Sequence, residues 1–330
     1  MKALIPVAGV GSRLRPHTHT QPKALIPVAG KAILGHIVED LIDHGIEDFV
    51  FIIGHLGNKI EAFIAENYAN INAHFVLQSS SKGNGHALSL AKNCVNQNED
   101  LLIVFGDTIA KCDYQKILAQ ETSQIGLQKV QNPELFGVAE ISPEGWVTKL
   151  IEKPKIPTSN MAMVGVYYIK ESHVLFDCLE EMLHPDQKEK KEYHLTQALD
   201  MMVQKGIRIK TFGVQSWFDC GKKEVLLETN RKLLKSVKQE IPKGACENCI
   251  FIEPYHVGNN AQIENCIIGP HVSIGENAIL ENSIISDSII GPNSHIQSAI
   301  LAQSVVGNDA ALSGLSLSLN LGDSTEIALK

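Results

Sequence analysis

Beyond Cys246 the sequence keeps an aliphatic beat: Ile250, Ile252, Val257, Ile263, Ile268, Ile274, Leu280, Ile285, Ile290, Ile296 and Leu301 recur mostly five or six residues apart. An α-helix cannot bury that period, because its apolar face needs positions three or four apart. A coil with three short flat sides can: each side sends an aliphatic residue inward, and stacked coils merge these residues into one interior. Gly275, Gly291 and Gly307 each follow Ile or Val at 16-residue intervals, and Asn fills many of the turns between. Both residue types tolerate the positive φ of tight corners. This segment is expected to form a left-handed parallel β-helix.

The residues before it obey a different pattern. Lys2 to Ala8, Asp48 to Gly54, Ala73 to Gln78 and Leu101 to Asp107 are short apolar segments that predict strands. Between them Ile33, Leu34, Ile37, Val38, Leu41 and Ile42 share one helical face, and Gly45 stands where a C-terminal cap belongs. Lys59 to Ala69 and His86 to Val95 predict two more helices, so the strands they connect should run parallel. From Ile125 to Lys170 the pattern turns to strands, with a turn at Pro143-Glu144-Gly145, and reads as an inserted sheet at one edge. Helices return at Val174 to Leu183, His194 to Gln204 and Lys223 to about Val237, the last ending before Pro242-Lys243-Gly244. The expected fold is α/β: a Rossmann-like three-layer sandwich with a mixed, mainly parallel sheet over residues 1–240, then the β-helix over 241–330.

Composition narrows the function. With 330 residues, 44% hydrophobic and 20% charged, the chain has room for one large core and a second domain. No run approaches 18 apolar residues and Met1 to Ala8 lacks a basic n-region, which predicts a soluble, cytoplasmic protein with no membrane partner. Only Cys246 and Cys249 among seven cysteines have C-x-x-C spacing. With no second pair, the pattern fits reduced, buried thiols better than zinc. A net charge of −8 argues against nucleic acid as partner. Yet Met1 to Val38 holds no Asp or Glu and five cations, Lys2, Arg13, Arg15, Lys23 and Lys31, leaving −13 to the rest, the difference between −8 and +5. A cationic pocket in an acidic protein suits a polyanionic small molecule.

Directly after the first strand comes Gly9-Val10-Gly11-Ser12-Arg13-Leu14-Arg15-Pro16, then Gln21-Pro22-Lys23-Ala24-Leu25-Ile26-Pro27-Val28-Ala29-Gly30-Lys31. Glycines let backbone N–H groups approach phosphate oxygens, and the cations neutralise them. A dinucleotide-binding fingerprint is excluded, because Leu14 stands where a third small residue belongs and no acidic residue follows until Glu39. A Walker A loop is excluded because Ala32 follows Gly30-Lys31. The segment resembles the signature of the nucleotide-sugar pyrophosphorylases, the sugar-1-phosphate nucleotidyltransferases, and the match includes Thr18 and Pro22-Lys23. It departs at Pro6-Val7-Ala8-Gly9-Val10, where the family usually carries Leu-Ala-Gly-Gly or Leu-Ala-Ala-Gly.

The resemblance implies roles for named residues across about 2–235. Ala8, Gly9 and Gly11 would meet the nucleotide, Arg13 its leaving phosphates and Lys23 the reacting phosphates. Asp107 in Phe105-Gly106-Asp107 and Asp219 in Trp217-Phe218-Asp219-Cys220-Gly221 would hold Mg²⁺, for which hard carboxylates suit. In Glu152-Lys153-Pro154, Lys153 would meet the sugar phosphate and Glu152 the sugar hydroxyls. Gly137 in Phe136-Gly137-Val138 and Gly165 after Ser159-Asn160-Met161-Ala162-Met163-Val164 would line the sugar pocket. Gln78 and Gly83, before Asn84-Gly85-His86-Ala87-Leu88, would read the base.

The substrates implied are a nucleoside triphosphate, dTTP or UTP, and a sugar 1-phosphate, glucose first. The pairing with a short β-helix is similar to the longer form of glucose-1-phosphate thymidylyltransferase. Two alternatives stay open: a non-catalytic regulatory relative, and a bifunctional enzyme whose β-helix transfers acyl groups through His256, His271 or His295. None of the thirteen histidines falls in a catalytic pattern, and His17 and His19 read as solvated loop residues. The β-helix is expected to assemble the chain into a homo-oligomer.

Overall fold

The computed structural model describes residues 1–97, 99–184, 192–317 and 319–328. They form two compact units, one of Met1–Gly9 with Ile37–Phe218 and one of Val10–His36 with Asp219–Lys330.

The first unit is built on a mixed sheet in which Lys2–Pro6 lies between Asp48–Ile53 and Leu101–Val104, both parallel to it, with Asn72–Leu77 beyond Asp48–Ile53. Apolar runs such as Phe49 to Ile52 are fully buried, as parallel strands covered on both faces must be. The expected insert extends this sheet on the side of Leu101–Val104. Met161–Ile169 pairs antiparallel with Leu101–Val104 and with Gln124–Lys129, and the hairpin Gly137–Ile141/Val147–Glu152 continues the same sheet. Helices Ser172–Leu183 and Leu195–Gln204 bury Leu175, Leu179, Ala198 and Leu199 in its core. The helix expected over 86–95 is cut: Asn84–Ser89 is α-helical and Lys92–Cys94 is a 3-10 turn. The Ser89 hydroxyl donates to the His86 carbonyl at 2.8 Å, a local bond that competes with helix continuation.

In the second unit the aliphatic beat becomes a left-handed parallel β-helix. Ile263, Leu280, Ile296 and Leu312 stack in register on one side, Ile268, Ile285 and Leu301 on the next, and Ile274, Ile290, Val306 and Leu321 on the third. All are buried, none above 7% exposed. The coil shortens from 17 residues, Tyr255 opposite Val272, to 16, Ile274 opposite Ile290, and 15, Val306 opposite Leu321. Asn260, Asn277 and Asn293 take positive φ at one corner, and their side chains pass hydrogen bonds from coil to coil, ending on Asp309. His295–Ala302 and Ala311–Leu317 each run through a corner as one strand. Ser298 and Gly314 turn those corners at φ 54 and 86.

Emptying one inward position should loosen neighbouring coils. Ile285→Ala removes a fully buried side chain, expected to cost about 2–5 kcal/mol and to lower the urea midpoint of the β-helix signal. A loss below about 1 kcal/mol would show that the interior tolerates a void there.

Candidate active site

In the first unit, the direction of chain crossover reverses between Lys2–Pro6 and Leu101–Val104. Ligands of open α/β sheets sit beyond the strand carboxyl ends at such a reversal. Ala8 and Gly9 follow one strand and Asp107 the other. The main chains meet closely there: Gly106 N–H donates to the Pro6 carbonyl at 3.3 Å, and a Cβ on Gly106 would lie 2.1 Å from Val7 Cγ1. Ala8 is buried, its carbonyl 2.8 Å from where Gly54 would carry a Cβ, whereas Gly9 is exposed and a Cβ there would meet nothing within 4 Å. Gly165, at φ 84, packs on Phe105, and its carbonyl accepts from Phe105 N–H at 2.9 Å. It therefore braces the strand end that carries Asp107, whose carboxylate accepts from the Thr108 hydroxyl at 3.4 Å.

Gln78 ends its strand nearly buried, at 8% exposure. Its Nε2 donates to the Gly83 carbonyl at 3.1 Å and lies 2.9 Å from His86 Nδ1. Both hydrogens of that amide are thereby engaged, and Oε1 is its remaining polar atom. Gly83, at φ 95, cannot gain a side chain, since a Cβ would meet the Tyr193 carbonyl at 2.4 Å.

A third cluster joins the hairpin to the helix Leu195–Gln204. Glu152 pairs with Gly137 in register. It accepts from the Thr196 hydroxyl at 2.6 Å and lies 3.7 Å from both His194 Nδ1 and Lys153 Nζ. Lys153 is exposed and holds φ 42, with its N–H on the Phe136 carbonyl. Burial, then the Glu152 charge, raise the Tyr167 phenol well above its usual range. Tyr193 packs against Gly83, and His194 and Thr196 meet Glu152; none of the three was singled out from sequence. The available signal was Thr196, a polar residue beside the buried face set by Leu195, Ala198 and Leu199.

The second unit gathers Arg13, Lys23 and Asp219. Gly11 sits at φ 65 with its carbonyl accepting from the Thr18 hydroxyl at 2.9 Å, and a Cβ there would lie 3.0 Å from Lys23 Cβ. Lys23 is 8% exposed and its Nζ lies 3.6 Å from Asp219 Oδ1. Gly221 leaves room for the Arg13 guanidinium, since its Cβ would meet Arg13 Nη2 at 2.8 Å and Asp219 Oδ1 at 3.1 Å. Two cations thus flank one carboxylate. Among the described residues no group of three or more His, Cys, Asp or Glu side chains gathers around a metal-sized space. His17 is buried, not solvated, and lies 2.5 Å from Asn320 Oδ1, while His19 is exposed. His256 sits against Gly30, and His295 Nε2 is 3.6 Å from Glu281.

The chain belongs to the nucleotidyl transferase family, whose model matches residues 2–236. It is 36% identical to the low-salt glycan biosynthesis nucleotidyltransferase Agl11 of Haloferax volcanii, over 72% of this chain and 68% of that protein. Its likeness to the bifunctional protein GlmU of Methanococcus vannielii, 35% identical over 76% of this chain, spans 59% of that protein's length. A glucose-1-phosphate thymidylyltransferase of Streptomyces antibioticus is 28% identical over 88% of this chain and 81% of its own. Among solved structures, a protein from Bacillus anthracis described as a putative glucose-1-phosphate thymidylyltransferase, crystallised with sucrose, superposes with a TM-score of 0.62 at 25% identity over 73% of this chain and 98% of that one. No helix among the described residues is long and apolar enough to cross a membrane.

The Gln78 contact makes a pH prediction. Burial, then nearby Lys82, lower the His86 pKa from 6.5, so the ring is neutral at pH 7 and its Nδ1 accepts from Gln78. Stabilisation by this bond is present above the unfolded pKa and is lost as pH falls through the lowered folded one. By NMR the His86 midpoint should fall below 6.5, with the Gln78 amide resonances moving alongside. A midpoint at or above 6.5, or Gln78 resonances that stay still, contradicts the assignment.

Proposed function

We propose that the chain joins a nucleoside triphosphate, dTTP first and UTP second, to glucose 1-phosphate, giving a nucleoside diphosphate sugar and pyrophosphate. The observation that carries this is the gathering of Arg13 and Lys23 on one glycine loop against Asp219. Residues 1–240 would form the nucleotidyltransferase domain and 241–330 the β-helix domain. In the reaction an oxygen of the sugar phosphate attacks the α-phosphorus in line as pyrophosphate leaves. The attacking phosphate is already anionic at pH 7, so no strong general base is needed. Ala8, Gly9 and Gly11 would admit the nucleotide phosphates, Arg13 would neutralise the leaving phosphates, Lys23 the reacting ones and Lys153 the attacking one. Asp107 and Asp219 offer the hard carboxylate oxygens that suit Mg²⁺ and would hold it, and the ion would supply positive charge to offset that of the leaving group.

Base preference follows from Gln78. With its Nε2 engaged by Gly83 and His86, Oε1 is suited to accept from the ring N3–H of thymine or uracil, which adenine and cytosine do not offer. The methyl group separating thymine from uracil is worth about 1 kcal/mol, so UTP should follow dTTP within about tenfold. Gly137 and Glu152 would face the sugar, with Thr196 orienting the carboxylate, while Gly165 would act behind them through Phe105. A cytoplasmic setting fits seven cysteines of which none forms a disulfide among the described residues. Homo-oligomerisation through the β-helix is supported by one side on which Ile250, Ile267, Ile284 and Ile300 align from coil to coil. Ile250, Ile284 and Ile300 there are 60%, 44% and 50% exposed.

A matrix of sugar 1-phosphates against nucleoside triphosphates, scored by pyrophosphate release, tests the substrates. ATP or GTP outpacing both pyrimidine nucleotides would sink the base assignment. Asp219→Ala and Asp107→Ala should each lower kcat by about a hundredfold or more with KM little changed; near wild-type turnover at saturating Mg²⁺ would refute the pair. Ile284→Lys with Ile300→Lys should lower the mass seen by light scattering, and an unchanged mass would remove that face as the contact.

A further inference from the structure

The loop that carries Arg13 and Lys23 rests on the β-helix at both ends. At its near end His17 bonds to Asn320, the Thr20 hydroxyl donates to Asp323, and a Cβ on Gly322 would lie 2.9 Å from Pro16 Cβ. At its far end Pro27–Val28 and Lys31–Ala32 form a tight hairpin whose turn, Ala29-Gly30, holds positive φ of 50 and 81. That backbone suits glycine and is unfavourable for Ala29. Packing beneath it is incomplete. A cavity of about 290 Å³ opens between Pro27, Gly30 and Ala32 and the β-helix residues His256, Ile274 and Glu276.

What fixes the turn is one amide. Asn230, on the helix Lys223–Leu233, is 1% exposed. Its Oδ1 accepts from Ala29 N–H at 2.8 Å and from the Ser273 hydroxyl at 2.6 Å, and its Nδ2 donates to the His271 carbonyl at 3.2 Å. A buried amide with both ends bonded is held in one orientation, because any rotation strands a polar atom.

We infer that Asn230 is a positioning residue: it copies the β-helix coil at His271 and Ser273 onto the Ala29-Gly30 turn and so sets where Lys23 stands. The β-helix then serves as a mould for the phosphate loop in addition to any part in assembly. The kinetic half of this inference rests on the nucleotidyl transfer proposed above; the structural half does not.

Hydrogen exchange of the full chain, followed by mass spectrometry on peptides from 10–32, separates the two. Asn230→Ala should speed exchange at Ala29 and its neighbours at least tenfold, with the β-helix peptides unchanged. Ser273→Ala, which leaves Ala29 N–H its acceptor, should speed it less than twofold. Asn230→Ala should also lower kcat ten- to a hundredfold while the KM for the sugar phosphate stays within twofold. Should Asn230→Ala fail to fold, Asp323→Ala at the near end should raise exchange over 16–21 several-fold. Exchange over 10–32 that is unchanged in whichever variants fold would overturn the mould. Wild-type protein inactive with every substrate pair would overturn the kinetic half alone.

Discussion

The proposed reaction would bring two polyanions together against their repulsion, and the cations proposed to hold them, Arg13 and Lys23, lie on a loop with almost no regular structure of its own. Between Gly11 and Ile26 the loop has only the 3-10 turns Ser12–Leu14, His17–His19 and Lys23–Leu25. Such turns carry too few hydrogen bonds to fix a long side chain. The position of Lys23 therefore depends on what the loop is fastened to: Thr18 on Gly11, Asn320 on His17, Asn230 on Ala29. A coil of backbone-paired strands is a rigid support, because each coil has only its neighbours to bond and bonds them along its whole length.

Electrostatics sharpens this dependence. A buried ammonium is tolerated only with a partner, and Asp219 at 3.6 Å supplies one. The ion pair ties the Lys23 side chain to the segment that carries Asp219. Close main-chain approach does the corresponding work in the first unit. Gly106 against Val7 and Gly83 against Tyr193 leave no room for a side chain, and the loops bearing Asp107 and Gln78 are set by backbone contact.

How much of this could be read beforehand differs by element. The β-helix was legible because one inward aliphatic residue per side is a rule that every coil repeats. Its strands through Ser298 and Gly314 were not, since a positive φ at serine has no sequence signature. The parallel strands were legible from apolar runs, whereas the helix over 86–95 was overextended because the Ser89 bond to His86 is invisible to periodicity. Asp107, Gln78, Glu152 and the glycine loop stood out by motif. Thr196, His194 and Asn230 did not, because each acts on residues far away in sequence: Glu152 lies 44 positions from Thr196, and Ala29 lies 201 from Asn230.

The most direct test of the proposed chemistry follows the attacking oxygen. Glucose 1-phosphate labelled with ¹⁸O in its phosphate is incubated with dTTP, Mg²⁺ and the full chain, and the products are read by ³¹P NMR. Attack on the α-phosphorus predicts label in the nucleotide sugar, part of it in the oxygen bridging its two phosphorus atoms, and none in pyrophosphate. Label in the released pyrophosphate, or its absence from the bridge, would contradict the account.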